Sequence, residues 1–68
     1  MIHYWKATGE LNMDASKEGF VYFKANLEKK AWKKAAEELK KKYNAFFISL
    51  ITLTEVSEEE YLKYSEVI

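Results

Sequence analysis

The chain has 68 residues, with 11 lysines, no arginine and 11 acidic side chains that bring its net charge to zero; 49% of it is apolar and 16% aromatic. That length allows one domain, 1–68, and the apolar content excludes a disordered tail. With no cysteine and a single histidine, His3, the chain has no disulfide and no thiolate or imidazole set for zinc, so neither metal nor other cofactor is expected.

"IHYWKATGEL", residues 2–11, is rich in aromatic and β-branched side chains and reads as a first strand. "NMDASKEG", residues 12–19, gathers Asn12, Asp14, Ser16 and Gly19, which is turn chemistry and predicts a loop. "FVYFKAN", residues 20–26, is a second strand, antiparallel to the first. Asn26 is placed to cap a helix over 27–43, where Glu28, Trp32, Ala35, Ala36, Leu39 and Tyr43 recur at helical spacing and form the expected buried stripe. Lys40, Lys41 and Lys42 suit the negative end of the helix dipole, and Asn44 suits a left-handed stop. "AFFISLITLTEV", residues 45–56, is apolar almost throughout, as a strand covered on both faces would be. Ser57 and Glu60 make a capping box for a short last helix over 58–66, with Tyr61, Leu62 and Ser65 on one side.

The order is ββαβα, an α+β domain. A strand–helix–strand crossover makes the second and third strands parallel if they share a sheet. The expected sheet is therefore three-stranded and mixed, with strand 3 central, the long helix on one face and a short C-terminal helix after it. Alternation sets His3, Trp5, Ala7, Val21, Phe23 and Ala25 under the long helix. It leaves Tyr4, Lys6, Thr8, Phe20, Tyr22 and Lys24 on the other face. Either row of strand 3 (Phe46, Ile48, Leu50 or Phe47, Ile51, Leu53) adds an apolar centre to that second face.

Such a patch calls for a cover. The core is marginal, because so short a chain buries only roughly 60% of its unfolded surface. A homodimer packed sheet against sheet is the expected reinforcement, with the last helix contributing. "MIHYWKATGE" lacks the basic-then-apolar pattern of a signal peptide, and "AFFISLITL" is far shorter than a membrane helix. A cytoplasmic setting without membrane contact is expected.

Tyr4, Lys6, Phe20, Tyr22 and Lys24 are the candidate protein-binding residues, since tyrosine is enriched at interfaces. The same aromatic and basic side chains would also suit stacking of single-stranded bases. The helix segment "EKKAWKKAAEELKKKY" holds seven lysines against Glu28, Glu37 and Glu38, a net of +4. The segment from Glu55 carries Glu55, Glu58, Glu59, Glu60 and Glu66 against Lys63, a net of −4. Four-residue spacings of Lys33 and Lys41 with Glu37, and of Lys34 and Lys42 with Glu38, predict a solvated, self-paired face. The alternative is that Lys30, Lys33, Lys34 and Lys41 grip phosphates. Without arginine, which makes the commonest specific base contact, sequence reading is not expected.

Asn12, Asp14, Ser16 and Glu18 alternate oxygen ligands as a calcium loop does, but Lys17 stands where that loop needs glycine. No nucleophile or second acid is set beside His3, so no catalytic residue is assigned and no enzyme is expected. The reading is a non-enzymatic protein-binding module, a regulator or inhibitor of another protein that acts as a homodimer, with nucleic-acid binding as the alternative. In size and pattern, a cysteine-free, Lys/Glu-rich ββαβ chain ending "VSEEEY" is similar to small accessory proteins of phages and mobile elements. That likeness carries no motif and transfers no residue role.

Overall fold

The structure, a computed structural model, describes residues 1–65. It contains β1 (His3–Leu11), β2 (Asp14–Ala25), α1 (Glu28–Tyr43), β3 (Ile48–Val56) and α2 (Glu58–Ser65). The α+β class and the element order are as expected.

The sheet order is β2-β1-β3, and β1 is antiparallel to both neighbours. Strand 3 is therefore an edge strand and not the central one, and the sheet is antiparallel and not mixed. β2 and β3 do point the same way, but β1 lies between them. A crossover fixes the direction of β3 without fixing which side of the hairpin it joins. The outer edge of β2 is occupied by side chains of α1, which leaves the edge of β1 for β3.

The β1–β2 connection is a two-residue turn, not an eight-residue loop. Asn12 (φ 52°) and Met13 (φ 62°) are both left-handed. Two consecutive left-handed residues give the twist that a tight hairpin requires. Residues 14–19 consequently belong to β2, with an irregularity where Glu10 faces Glu18 and Leu11 faces Asp14.

The core is Trp5, Ala7, Val21, Phe23 and Ala25 from the hairpin, Ala31, Ala35 and Leu39 from α1, and Ile48 from β3. The hairpin rows are those expected from alternation, apart from half-buried His3 at the sheet's end. The helix stripe holds at Ala35, Leu39 and Tyr43 but is rotated toward Ala31: Ala31 is fully buried, whereas Trp32 is 45% exposed and Glu28 lies in solvent. Both phases offer apolar residues, and packing decides between them. Trp5 and Phe23 are large, so the helix presents small residues to them and comes in close. The buried Trp5 indole N–H donates to the Ala25 carbonyl at 3.1 Å, which satisfies its polar end.

The N-cap of α1 is Leu27, in extended backbone without a side-chain cap bond, and not Asn26. At the other end Asn44 is left-handed (φ 52°) and its N–H bonds to the Lys40 carbonyl. In α2, Ser57 Oγ accepts the Glu60 N–H at 3.1 Å, one half of the capping box. Tyr61 faces the sheet and Leu62 is exposed. Glu66, assigned to this helix and to the acidic tail, lies outside the described residues.

The apolar run 45–56 resolves into a loop and an alternating strand with a slip. Ala45–Phe47 precede β3. Within β3, Thr8 faces Thr52 but Glu10 faces Ser49, so one extra residue is accommodated around left-handed Leu50 (φ 51°). This β-bulge shifts the alternation by one place. Ile48, Ile51 and Leu53 then pack with the core, while Thr52, Thr54 and Val56 share the α1-free face with Thr8, Lys6 and Tyr4. The apolar centre expected on that face is a threonine row instead.

Candidate functional site

The structure brings Tyr4, Lys6, Phe20, Tyr22 and Lys24 together on the α1-free face, where Tyr4 faces Lys24, Lys6 faces Tyr22 and Thr8 faces Phe20. α2 lies across part of it. The Tyr61 ring sits 4.9 Å from Tyr4, and Tyr64 stacks on Tyr22 at 5.5 Å and 17°. The Tyr22 hydroxyl donates to Glu60 at 3.2 Å. Burial first, then Glu60, pushes the Tyr22 phenol up; burial and Glu58 do the same to Tyr4. These two tyrosines are thus engaged within the chain. Phe20 stays 43% exposed, with Lys42 Nζ 4.1 Å and Lys6 Nζ 5.7 Å from its ring centre.

Lys30, Lys33, Lys34 and Lys41 are all exposed on α1. By helical phase Lys30, Lys34 and Lys41 share the flank above β2. The expected four-residue ion pairs with Glu37 and Glu38 do not form; the close contact of a ring nitrogen with a carboxylate is His3 Nδ1 to Glu55 Oε2 at 2.6 Å, a hydrogen bond. Lysines of α1 instead reach the sheet. Lys34 donates to the Lys24 carbonyl at 3.1 Å, and Lys42 to the Phe20 carbonyl at 2.8 Å. Tyr43 adds its hydroxyl, which accepts the Phe20 N–H at 3.0 Å and donates to the Phe20 carbonyl at 3.1 Å. The Tyr43 ring covers Gly19, where an added Cβ would lie 2.5 Å from a ring carbon.

Asn12, Asp14, Ser16 and Glu18 are spread over turn and strand. Asp14 Oδ1 accepts the Ser16 amide (3.0 Å) and hydroxyl (2.6 Å), and these bonds hold its carboxyl below the usual range. Among the described residues no group of three or more His, Asp or Glu side chains gathers as a metal site would. A shallow depression of about 230 Å³ lies beside α2, lined by Ser57, Glu59, Glu60, Lys63 and Tyr64. No described helix is long and apolar enough to cross a membrane.

One cluster escaped the sequence reading. At the hairpin end of the sheet stand Met13 (74% exposed), Phe46 (80%), Leu50 (74%) and exposed Phe47. Asn12 holds this end together. Its Oδ1 accepts the N–H of Phe46 (2.9 Å) and of Phe47 (3.2 Å), and its own N–H donates to the Phe47 carbonyl at 2.7 Å. Met13 and Leu50 are left-handed, a conformation that costs an L-residue with a Cβ about 1–2 kcal/mol. The available signal was Asn12 followed by Met13 and Asp14: a hairpin turn in which methionine takes the place usually given to glycine.

Compared with known protein families, with curated proteins and with solved structures, the chain has no match.

Proposed function

We propose that this chain is a non-enzymatic protein-binding module, a regulator or inhibitor that docks another protein through the apolar tip of Met13, Phe46, Phe47 and Leu50. The observation that carries this reading is the pair of exposed apolar residues in left-handed backbone, Met13 and Leu50. Stability alone favours glycine or asparagine at such positions. Backbone strain combined with exposed apolar surface concentrates at functional sites. Phe46, held by Asn12 yet nearly bare, suits the aromatic anchor of an interface.

The test compares Leu50→Gly and Phe46→Ala with wild type. Both variants should melt at or above the wild-type temperature and should lose capture of a partner from a lysate of the source cells. A Leu50→Gly protein that melts far lower, or that retains the same partner, rules the tip out.

A second reading is sequence-independent nucleic-acid binding, supported by Lys6 and Lys42 beside the exposed Phe20 ring. Its signature is submicromolar DNA affinity at physiological salt, lost when Lys30, Lys33, Lys34 and Lys41 become glutamine. Log affinity would fall with log salt at a slope of about −0.9 per phosphate contacted on duplex DNA.

A further inference from the structure

The two edges of the sheet are treated differently. On β2 the outward backbone groups of Phe20 and Lys24 are taken by Tyr43, Lys42 and Lys34 of α1. On β3 no side chain of a described residue bonds to the strand's backbone, and among the described residues no strand lies on its outer side. Edge strands are usually guarded by lysine, proline or inward charge, or are kept short. β3 is nine residues long, "ISLITLTEV", with no lysine or proline and Glu55 as its only charge. The Leu50 bulge breaks its first turn of pairing and leaves 51–56 as a regular run.

We propose that β3 pairs antiparallel with β3 of a second copy, extending the sheet to six strands about a twofold axis through Leu53. The backbone fixes this register. In an antiparallel sheet, bonding direction alternates along each strand. The Phe20 backbone points outward from β2, so Thr8, opposite it, turns its own groups toward β3 and Thr52. Thr52, Thr54 and Val56 therefore bond inward, and Ile51, Leu53 and Glu55 present their N–H and C=O groups to the open side. Two copies in antiparallel array then pair Leu53 with Leu53, and Ile51 with Glu55 in both directions.

Charge and packing agree with a second copy as the occupant. No charge meets its like across this joint, because Glu55 faces Ile51. Ile51 and Leu53 are only half-buried in the single chain; Leu53 would close against Leu53 of the second copy and Ile51 against the stem of its Glu55. Trp32 lies on the flank of α1 opposite Lys34 by helical phase, on the β3 side, and is exposed there. Met13 and Phe46 stay outside the joint, whereas Leu50, at the bulge of β3, borders both the proposed docking tip and this edge.

The experiment combines sedimentation with residue-resolved hydrogen exchange on the whole chain. Wild type at tens of micromolar should sediment at about twice 8.0 kDa, with the amides of Ile51, Leu53 and Glu55 slowed as concentration rises. Thr52→Lys/Thr54→Lys sets lysine opposite lysine across the joint without touching the core. It should be a folded single chain in which those three amides exchange at least tenfold faster. A monomeric wild type overturns the proposal. So does a dimer in which those amides stay fast, since it uses another surface, or a dimer that survives the two lysines. Protection of the three amides only on adding an unrelated protein would overturn it in favour of another protein's strand.

Discussion

Leu39 and Trp32 provide the sharpest test of how α1 lies on the sheet. Leu39 is fully buried at the centre of the helix face, and its Cδ1 approaches the Gly9 position of β1. Leu39→Ala removes a fully packed isobutyl group and should cost about 2–5 kcal/mol. Total stability for 68 residues at the usual yield per residue is about 3–10 kcal/mol. The variant should therefore lose from a fifth of its stability to all of it. Trp32→Ala removes a larger side chain, but 45% of that residue is already in water. Alanine is also the better helix former. The expected loss is about 1–2 kcal/mol, scaled down from the about 3–5 kcal/mol of a buried tryptophan. Urea unfolding followed by helical circular dichroism measures both. The lowest workable protein concentration should be used, so that association does not enter. A larger loss for Trp32→Ala than for Leu39→Ala would mean that the helix is rotated by about one residue and that the core described above is wrong.

Asn12→Ala should cost about 2 kcal/mol, since it removes the acceptor of two amides and leaves a Cβ in left-handed backbone; Asn12→Gly, which tolerates that backbone, should lose only the acceptor's share in the same unfolding assay. Gly19→Ala drives a methyl into the Tyr43 ring, and about 1–3 kcal/mol of destabilisation is expected, with faster exchange of the Phe20 amide. At alkaline pH, Tyr4 and Tyr22 have folded-state values raised above the ordinary 10.0. The stability they confer as neutral phenols is thus present below pH 10.0 and lost as pH rises through the raised values. Phenolate absorbance against pH should show this loss as α2 leaves the sheet. Glu60→Gln should bring Tyr22 only part-way back, because burial is the larger cause.

The two hairpin rows were legible because their large residues alternate without interruption from Tyr4 to Ala7 and from Phe20 to Ala25. The phase of α1 was not, because Ala31 and Trp32 are neighbours and both are apolar. Which one turns inward depends on the volumes of Trp5 and Phe23, which lie far away in the chain. Position in the sheet was misread for a related reason. A run without polar relief resembles a strand covered on both faces, and no glycine or asparagine marks the bulge at Leu50. The same concealment hid the candidate tip: Met13 and Leu50 carry the backbone of turn residues under the side chains of core residues. The hairpin's share of the α1-free face was assembled correctly, but strand 3 adds threonines where an apolar row was expected, and the face's tyrosines are engaged by Tyr61 and Tyr64.

The seal on β2 has a consequence in time. Every group that closes that edge (Lys34, Lys42, Tyr43) follows the hairpin in the chain, so a nascent polypeptide that has released only β1 and β2 shows both edges and both faces bare. Hairpins close within microseconds, whereas synthesis at about 5–20 residues per second takes about a second or more to deliver Tyr43. During that interval the hairpin is open to pairing with any other extended chain. α1 is in this sense a late-arriving guard of one edge, and a peptide ending at Leu27 should aggregate faster than one ending at Asn44, in which only the β1 edge stays open.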